Sequence, residues 1–234
     1  MAKKKEVKNI FNDIAPKYDL LNHLLSMNID KGWRKKAMKC IGKEEKDSLL
    51  DVACGTGDFS LAAHRAGVKK VIGIDISENM VEIGRRKVEN LTLSSSIDLR
   101  VGDSEQMEFP DGLFQVVTVA FGVRNFEHLE IGLREMLRVL KPGGKVIILE
   151  FSMPNCFPMK QLYRFYFRHI LPTLGGWISG NKGAYTYLPE SVLKFPQGQN
   201  FLDILTRCGY VHTTQKKLSF GIASLYVGEK RKDK

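Results

Sequence analysis

The chain has 234 residues, 43% of them hydrophobic, and a formal net charge of +10. This length suits one α/β domain with additions, and we expect a single domain over residues 1–234. No run approaches the 18 apolar residues of a membrane-spanning helix, and the N-terminus lacks the apolar stretch of a signal peptide, which predicts a cytoplasmic protein. The four cysteines include no Cys-x-x-Cys pair, which argues against a zinc site or a disulfide framework, and we predict no bound metal.

The charge is distributed unevenly along the chain. Residues 1–46 hold 12 basic and 6 acidic side chains, residues 47–150 hold 12 and 16, and residues 151–234 hold 12 and 4. Both flanks are therefore basic, and the middle is mildly acidic. A basic surface attracts the phosphates of nucleic acids or of anionic lipids. The alternative is an ordinary solvated surface with a lysine-rich tail.

Residues 1–46 predict a helical lead-in before the first strand. Apolar residues recur there at the three- and four-residue spacing of a helix: Ile10, Phe11, Ile14, Tyr18, Leu21, Leu24 and Leu25. Pro16 predicts a break between two helices, and Trp33, Ala37 and Ile41 continue the spacing in a third helix that ends near Gly42. The lead-in either packs against the following domain or covers its ligand site.

Strands and helices alternate over residues 48–151, which predicts a doubly wound, mostly parallel α/β sheet. The predicted strands are 48–53, 70–75, Asp98–Val101, Phe114–Phe121 and Lys145–Phe151. The predicted helices are 57–66, one capped by Ser77, and 129–140, the last stopped by Lys141-Pro-Gly-Gly144.

Residues 152–196 interrupt this alternation and predict a helical insertion. Aromatic and apolar residues cluster there beside Arg164, Arg168 and His169; they are Tyr163, Phe165, Tyr166, Phe167, Ile170 and Leu171. Gly175–Gly180 is typical of a loop, and Tyr185–Pro189 leads into another predicted helix. A helix at 197–208 and two strands at 211–218 and 222–229 follow, and the short connection through Gly221 requires the strands to be antiparallel.

The turn after the first strand indicates a nucleotide-type ligand. Gly55-Thr56-Gly57 lets backbone N–H groups approach a ligand, and Asp75, at the end of the second strand, can accept both ribose hydroxyls. A dinucleotide site would have a third glycine where Ser60 stands. Asp58 would repel a pyrophosphate but suits a positive amino group. Adenosine, ribose and a zwitterionic amino acid are combined in S-adenosylmethionine, which we therefore predict as the cofactor.

A third contact is predicted after the third strand, at Gly102-Asp103-Ser104. A carboxylate at Asp103 could accept from an adenine amino group, although a turn residue is the alternative role. The full set of predicted cofactor-binding residues is Asp51, Gly55, Thr56, Gly57, Asp75, Ile76, Asp103, Ser104 and Ala120.

Two levels of family resemblance follow from these motifs. Asp51-x-x-Cys-Gly-Thr-Gly-Asp58 and Leu140-Lys-Pro-Gly-Gly144 resemble motifs of the class I S-adenosylmethionine-dependent methyltransferases, which have a seven-stranded sheet. Four further segments look like signatures of the ubiquinone/menaquinone biosynthesis C-methyltransferases (the UbiE/MenG family): Tyr18-Asp-Leu-Leu-Asn22 with Ser26 and Trp33, Phe121-Gly-Val-Arg-Asn125, Arg138 through Ser152, and Tyr185 through Ser191. One departure is Asp30, where that family usually has histidine.

The resemblance implies methyl transfer to a ring carbon of a polyprenylated quinol. Demethylmenaquinol is the preferred acceptor, and the methoxy-polyprenyl-benzoquinol of ubiquinone synthesis is the alternative. Another small molecule or RNA stays open, although the Asn/Asp-Pro-Pro-Tyr motif typical of base-amino methylases is missing after strand four. We predict no nucleic-acid partner. A cofactor-binding scaffold without catalysis is disfavoured by the intact Asp58, Asp75 and Asp103.

The same resemblance suggests catalytic roles for Arg124, Asn125 and Tyr18. Arg124 could stabilise a phenolate, Asn125 could orient a water, and Tyr18 could close over the site; a salt bridge or core packing are the structural alternatives. His128 and Glu150 are weaker candidates. The aromatic insertion with Arg164 and Arg168 either packs on the sheet or makes transient contact with an anionic membrane, which would place the protein peripherally on its cytoplasmic face. The sequence leaves a homodimer open.

Overall fold

The computed structural model describes residues 3–20, 26, 28–42, 45–166 and 182–232, excepting the side chains of 182–186. Its centre is one seven-stranded sheet. The strands are β1 Ser48–Val52, β2 Lys70–Asp75, β3 Ile97–Val101, β4 Phe114–Ala120, β5 Leu140–Phe151, β6 Val211–Leu218 and β7 Ala223–Glu229. Their spatial order is β3-β2-β1-β4-β5-β7-β6, with β7 antiparallel to both neighbours. The predicted fold class and the antiparallel final pair are confirmed.

Eight helices are described around the sheet in these ranges of the chain. They are α1 Lys4–Ile14, α2 Ile29–Met38, α3 Asp58–Arg65, α4 Glu78–Asn90, α5 Leu129–Val139, α6 Met159–Phe165, α7 Lys182–Lys194 and α8 Gln199–Arg207. Short 3-10 turns lie at Ala15–Lys17, Val123–Asn125 and Ser219–Gly221. No helix of the described chain combines the length and the apolar character needed to cross a bilayer.

The sheet is buried on both faces, which explains the apolar runs in its central strands. Successive residues of β1 and β4 enter opposite core clusters: Leu49 and Val116 lie in one, and Leu50 and Val117 in the other. All four side chains are fully buried. Each such burial contributes about 1.5–3 kcal/mol. A sheet covered on both sides leaves its strand ends as the places where polar groups can meet a ligand.

The order of strands reverses between β1 and β4. β1 pairs in parallel with β2 on one side and with β4 on the other. Connections from these neighbouring strands leave toward opposite faces of the sheet, so a crevice opens beyond their carboxyl ends. The fold therefore puts the turn after β1, the end of β2 and the end of β4 around one opening.

The lead-in breaks at Pro16 as predicted. α1 ends at Ile14, and Pro16 lies in the 3-10 turn that follows it. α1 packs on the start of α4, where the Lys8 ammonium pairs with Glu78. Leu21, Leu24 and Leu25 lie outside the described residues. The helix carrying Trp33 ends at Met38, four residues earlier than Gly42.

Two further boundaries also differ from the prediction. β5 begins at Leu140 rather than Lys145, because Leu140 pairs with Phe114 across a register shift in β4. α7 begins at Lys182 and contains Pro189, which we expected to precede the helix. Tertiary contacts of α7, such as the fully buried Val192, outweigh the hydrogen bond that a proline removes.

The insertion is described only in part. α6 carries the buried Tyr163 and the exposed Arg164 and Phe165. Phe167, Arg168, His169, Ile170, Leu171 and Gly175–Gly180 lie outside the described residues.

The close contact of α4 with the turn after β1 gives a stability prediction. A Cβ at Gly84 would stand 2.6 Å from Leu99 Cδ1 and 3.1 Å from the Thr56 backbone, whereas a Cβ at Gly32, also inside a helix, meets nothing within 4 Å. We expect G84A to lower the free energy of unfolding by about 1–2 kcal/mol through overpacking. We expect G32A to raise it by up to about 1 kcal/mol, since alanine favours helix. Urea unfolding measures both, and equal stabilisation by the two variants would contradict the packing argument.

Candidate functional site

The turn after β1 holds a carboxylate from the neighbouring strand. Gly55 and Gly57 have φ values of 55° and 82°, a conformation that glycine adopts without strain. In this turn the Gly55 N–H donates to Asp75 Oδ2 at 2.8 Å. The Ser77 N–H donates to Asp75 Oδ1 at 2.9 Å. Asp75 is thus held at the end of β2 by one backbone amide from the turn after β1 and one from the residue that precedes α4.

Burial and hydrogen bonding have opposite effects on the pKa of Asp75. Burial raises the pKa of Asp75, and the N–H groups of Ser77, Gly55 and Ile76 act against that rise. Ser77 also caps α4, accepting from the Met80 N–H at 3.2 Å as the sequence predicted. Its hydroxyl donates to Asn12 Oδ1 at 2.6 Å. The lead-in helix is therefore connected to the same polar cluster.

A second carboxylate lies after β3. Asp103 Oδ1 accepts from the Glu105 N–H at 2.9 Å. The Lys4 ammonium, at the start of α1, lies 2.6 Å from Asp103 Oδ2 and 3.4 Å from Glu105 Oε2. The lead-in thus reaches across the opening and contacts its far rim.

These groups surround a cavity of about 680 Å³, which we call the first cavity. Its described lining is Lys4, Val7, Phe11, Tyr18, Ala53, Gly55, Asp75, Ile76, Met80, Gly102, Asp103, Ser104, Glu105, Ala120, Phe121, Gly122, Asn125 and Phe126. The predicted residues Tyr18, Gly55, Asp75, Ile76, Asp103, Ser104, Ala120 and Asn125 are all among them. The described lining has three carboxylates and one ammonium, a balance that disfavours a phosphate ligand and suits a cation.

A second cavity of about 650 Å³ adjoins the first. Its described lining is Ile10, Phe11, Ile14, Tyr18, Ser26, Asp30, Arg34, Phe121, Arg124, Phe151, Tyr187 and Leu188. Phe11, Tyr18 and Phe121 line both cavities. The wall is mostly apolar and aromatic, with a few polar groups, as is common for small-molecule sites. Two different ligands could therefore meet beside Tyr18 and Phe121.

The junction of the cavities is held in a strained conformation. Ala53 and Phe121, just past the ends of β1 and β4, have φ values of 51° and 58°. A left-handed conformation costs a residue with a side chain about 1–2 kcal/mol. Phe121 stacks on Phe151 with ring centroids 4.3 Å apart, and the Trp33 ring packs against both. This packing holds Phe121 at the junction despite the strain.

Arg124 is buried rather than part of a surface salt bridge. Its Nη1 lies 2.7 Å from Glu150 Oε1, and its Nε donates to Ser191 Oγ at 3.3 Å. Its guanidinium carbon is 5.5 Å from the centre of the Phe151 ring. The pair ties the loop after β4 to the end of β5. Removing one partner of a buried pair leaves the other charge uncompensated, at a cost of about 3–5 kcal/mol.

Asn125 and Tyr187 connect the two cavities. Asn125 lines the first, Tyr187 lines the second, and the Tyr187 hydroxyl donates to Asn125 Oδ1 at 2.8 Å. Burial raises the pKa of Tyr187, so its hydroxyl stays protonated. Tyr187 was not singled out from the sequence. The segment Tyr185–Ser191 was, but only its tertiary contact with Asn125 identifies this residue.

Three predicted cofactor-binding residues are absent from the described lining of the first cavity. Asp51 is fully buried, and its carboxylate accepts from Ser60 Oγ at 2.6 Å and Thr118 Oγ1 at 2.9 Å. Thr56 donates its hydroxyl to Asp19, and Gly57 lies against Leu99. These residues shape the turn from beneath instead of facing the cavity.

Two other candidate residues have protein partners. Asp58, expected beside a ligand amino group, pairs with Lys87 at 2.7 Å. The His128 ring is exposed and lies 3.0 Å from Glu105 Oε2, without lining either cavity. Asp58 is absent from the described lining of the first cavity, whose carboxylates are Asp75, Asp103 and Glu105, and its contact with a ligand amino group stays a prediction.

Asp30, the departure from the family pattern, lies at the second cavity. It is 3% exposed, accepts from Ser26 Oγ at 2.7 Å, and pairs with Arg34 one helical turn later. The Arg34 guanidinium lies over the Phe121 ring. Residue 30 therefore takes part both in the packing of the lead-in and in the wall of the cavity.

Residues 1–230 match the ubiE/COQ5 methyltransferase family. The chain is 44% identical over 229 residues to the demethylmenaquinone methyltransferase of Bacteroides fragilis, covering 97% of this chain and 94% of that one. It is 46% identical over 230 residues to the ubiquinone/menaquinone biosynthesis C-methyltransferase UbiE of Geobacter sulfurreducens, covering 97% and 90%.

Solved structures agree on the fold. A putative methyltransferase complexed with the Trm112 activator of Haloferax volcanii aligns with a TM-score of 0.69 at 16% identity, covering 94% of this chain and 97% of that one. A Thermotoga maritima S-adenosylmethionine-dependent methyltransferase, described as a possible histamine N-methyltransferase, aligns with a TM-score of 0.66 at 19% identity, covering 96% and 99%. At such identities the likeness concerns the fold alone.

Asp51 gives a prediction about pH. Burial raises the pKa of Asp51 to about 6, against the hydrogen bonds from Ser60 and Thr118. An acid whose pKa is higher in the folded state stabilises the fold below its unfolded pKa, near 4, and loses that contribution as pH rises through 6. We expect wild type to lose up to about 3 kcal/mol of stability relative to D51N between pH 4 and pH 7.

Urea unfolding of wild type and D51N at pH 4.5, 5.5 and 7.0 measures this difference. D98N serves as the control, because Asp98 is an exposed carboxylate on β3. A difference between wild type and D51N that stays constant across this range would contradict the buried-acid interpretation.

Proposed function

The chain belongs to the ubiE/COQ5 methyltransferase family, and from this premise we propose that it methylates a ring carbon of a polyprenylated quinol, using S-adenosylmethionine. The observation that carries the proposal is the pair of cavities that meet at Tyr18 and Phe121, one acidic and one apolar. A methyl donor with a positive sulfur suits the first, and an aromatic acceptor suits the second. The preferred acceptor is demethylmenaquinol, as in the name of the Bacteroides fragilis relative.

The first cavity fits S-adenosylmethionine better than a dinucleotide. Asp75 Oδ2 accepts from the Gly55 N–H and Oδ1 from the Ser77 N–H, and a carboxylate has about four acceptor positions, so Asp75 retains capacity for a ribose hydroxyl. Asp103 retains the same capacity for an adenine amino group. Ile76 and Ala120 supply apolar wall, and Gly55 and Ser104 bring backbone close to the ligand. A pyrophosphate would face three carboxylates with one lysine, itself paired, on the described wall.

The cofactor supplies an electrophilic methyl group that needs little activation. The protein must align the acceptor carbon with it, which is a matter of positioning. Phe121 and Phe151, held by their stacking contact, provide a flat apolar wall for a quinol ring. Tyr18, which lines both cavities, closes the junction and excludes water in this proposal.

The acceptor carbon becomes nucleophilic when a quinol hydroxyl loses its proton. Asn125, held by the Tyr187 hydroxyl, is placed to orient a water that accepts this proton. Arg124 has a narrower role than the sequence suggested, because Glu150 already balances its charge. Its Nη2 group makes no hydrogen bond to a described residue and remains as a donor toward the phenolate oxygen.

A second quinol head group is the alternative acceptor in this proposal. The UbiE relative is named for ubiquinone as well as menaquinone biosynthesis. The methoxy-polyprenyl-benzoquinol therefore stays as the second acceptor. Polyprenylated quinols dissolve in membranes, so we also propose a transient contact with an anionic membrane, from the cytoplasmic side. A homodimer remains a prediction from the sequence.

The direct test uses labelled S-adenosylmethionine and two short-chain acceptors. We expect transfer of the labelled methyl to demethylmenaquinol, with slower transfer to the methoxy-benzoquinol. Faster transfer to the methoxy-benzoquinol would make that quinol the preferred acceptor and demethylmenaquinol the alternative. No transfer to either, with the cofactor bound in calorimetry, would refute the quinol proposal.

A matched pair of variants tests the assignment of the first cavity. D75A should weaken binding of S-adenosylmethionine about 100-fold or more, because about two hydrogen bonds to a charged group are lost. D98A removes an exposed carboxylate from the adjoining strand β3 and should leave the dissociation constant unchanged. Calorimetry compares them, and equal affinity for D75A and D98A would contradict the role of Asp75.

Y187F tests the link between the cavities with the loss of a single oxygen atom. We expect turnover to fall about 10-fold or more, since Asn125 loses the hydroxyl that orients it, while the cofactor dissociation constant is unchanged. The control is Y226F, which removes a hydroxyl that accepts from the Gly198 N–H at 2.9 Å and lines neither cavity. Steady-state kinetics and calorimetry separate the two effects. Loss of cofactor affinity in Y187F without loss of turnover would contradict the assignment.

A further inference from the structure

Large apolar side chains are exposed beyond the carboxyl end of β5. Phe157 is 82% exposed and Phe220 75%, while Leu162 and Phe165 are each 58% exposed. We call these four residues the apolar patch. Largely exposed phenylalanines on adjoining segments are unusual for a surface that faces only water.

Two hydrogen bonds bring the segments of the patch together. Cys156 Sγ lies 3.8 Å from the Phe220 carbonyl oxygen, and Ser152 Oγ donates to the Gly221 carbonyl oxygen at 2.8 Å. Leu162 and Phe165 are three residues apart on α6 and so share one side of it, whereas Tyr163 is buried. The patch therefore combines the start of the insertion with the turn between β6 and β7.

The turn presents Phe220 outward in an unfavourable backbone conformation. Ser219, Phe220 and Gly221 have consecutive φ values of 45°, 57° and 93°. Only glycine adopts this region without strain. A bulky aromatic residue at the tip of such a turn gains nothing from the core, because it is three-quarters exposed.

The charges around the patch have one sign. Segments 152–166 and 211–222 contain four basic side chains, Lys160, Arg164, Lys216 and Lys217, and no Asp or Glu. All four are exposed, and none forms an ion pair with a described carboxylate. Aromatic groups flanked by unpaired cations complement the boundary between anionic headgroups and acyl chains.

The patch is continuous with the second cavity. Tyr163 of α6 and Ile222, next to the turn, pack in one cluster with Phe151. Phe151 lines the second cavity. A lipid that entered at the patch would thus be one layer of side chains from the acceptor site.

We propose that the apolar patch docks on the surface of an anionic lipid bilayer, with the four apolar side chains in the headgroup region and the four cations against phospholipid headgroups. This proposal identifies the surface that contacts the membrane. Its biological role rests on the proposed quinol acceptor. The binding itself requires no acceptor and can be measured alone.

Vesicle flotation with the full chain tests the apolar part. F157S/F220G should reduce binding to phosphatidylcholine vesicles containing 30 mol% phosphatidylglycerol by about 10-fold or more. Both sites are exposed, and glycine suits φ at residue 220, so the fold is preserved. I131S is the control, because Ile131 is 48% exposed on α5, away from the patch. Equal binding by wild type and F157S/F220G would overturn the proposal.

Charge reversal tests the anionic part. K160E/R164E should remove the preference for phosphatidylglycerol over pure phosphatidylcholine, and wild-type binding should weaken as salt rises. K70E/K141E makes the same charge change at the amino ends of β2 and β5, at the end of the sheet opposite the patch. This variant should keep the preference for phosphatidylglycerol. If wild-type binding did not change with lipid charge or salt concentration, the proposed contact between the four cations and the headgroups would be wrong.

Two further measurements separate this inference from its alternatives. Turnover of a short-chain, water-soluble acceptor should be the same in wild type and F157S/F220G, so vesicle binding can fail while the methyltransferase proposal stands, and the reverse. Light scattering after size exclusion tests a second copy of the chain as the occupant. If F157S/F220G turned a dimer into a monomer without changing vesicle binding, the patch would be an interface between copies and the membrane proposal would be wrong.

Discussion

The site depends on one carboxylate that two backbone amides hold in place. Asp75 receives the N–H of Gly55 from the turn after β1 and the N–H of Ser77 from the start of α4. Ser77 in turn donates to Asn12 of the lead-in helix. Three segments of the chain therefore meet at this acid, and the burial that raises the pKa of Asp75 is opposed by the same amides that orient it. A ligand contact at Asp75 would be connected through Ser77 to the lead-in helix.

The arrangement of the two cavities follows from the same sheet edge. β1 and β4 are neighbours at the point where the strand order reverses. The backbone has a positive φ just past each of these strands, at Ala53 and at Phe121. The left-handed conformation at Phe121 costs about 1–2 kcal/mol, and stacking on Phe151 accompanies it. In the proposed reaction, strain at this junction would serve positioning, because a relaxed backbone would carry the Phe121 ring away from it.

The sequence was sufficient for most of the fold because hydrophobic periodicity and β-branched runs respond to burial on both sides of a sheet. It also predicted that Asp75 and Asp103 would lie at one opening, because strand ends in such a sheet converge. It could not decide whether Asp51, Thr56 and Asp58 point into the cavity or beneath it, because this depends on tertiary partners such as Ser60 and Lys87. Tyr187 was inaccessible for the same reason: its partner Asn125 is 62 residues away in the chain.

The burial of Arg124 changes how charge can act at the acceptor. A free arginine beside a phenol lowers the phenol's pKa through its full positive charge, but Arg124 and Glu150 together are neutral, and their field falls off quickly with distance. The pair still orients the Arg124 guanidinium group, because Glu150, Ser191 and the Phe121 carbonyl oxygen accept its hydrogen bonds and fix its plane. In the proposed reaction, stabilisation of a phenolate would then come from an oriented hydrogen bond rather than from net charge. The same holds for Tyr187 of the second cavity, whose hydroxyl donates to Asn125 of the first cavity, so both polar groups are oriented by a neighbour.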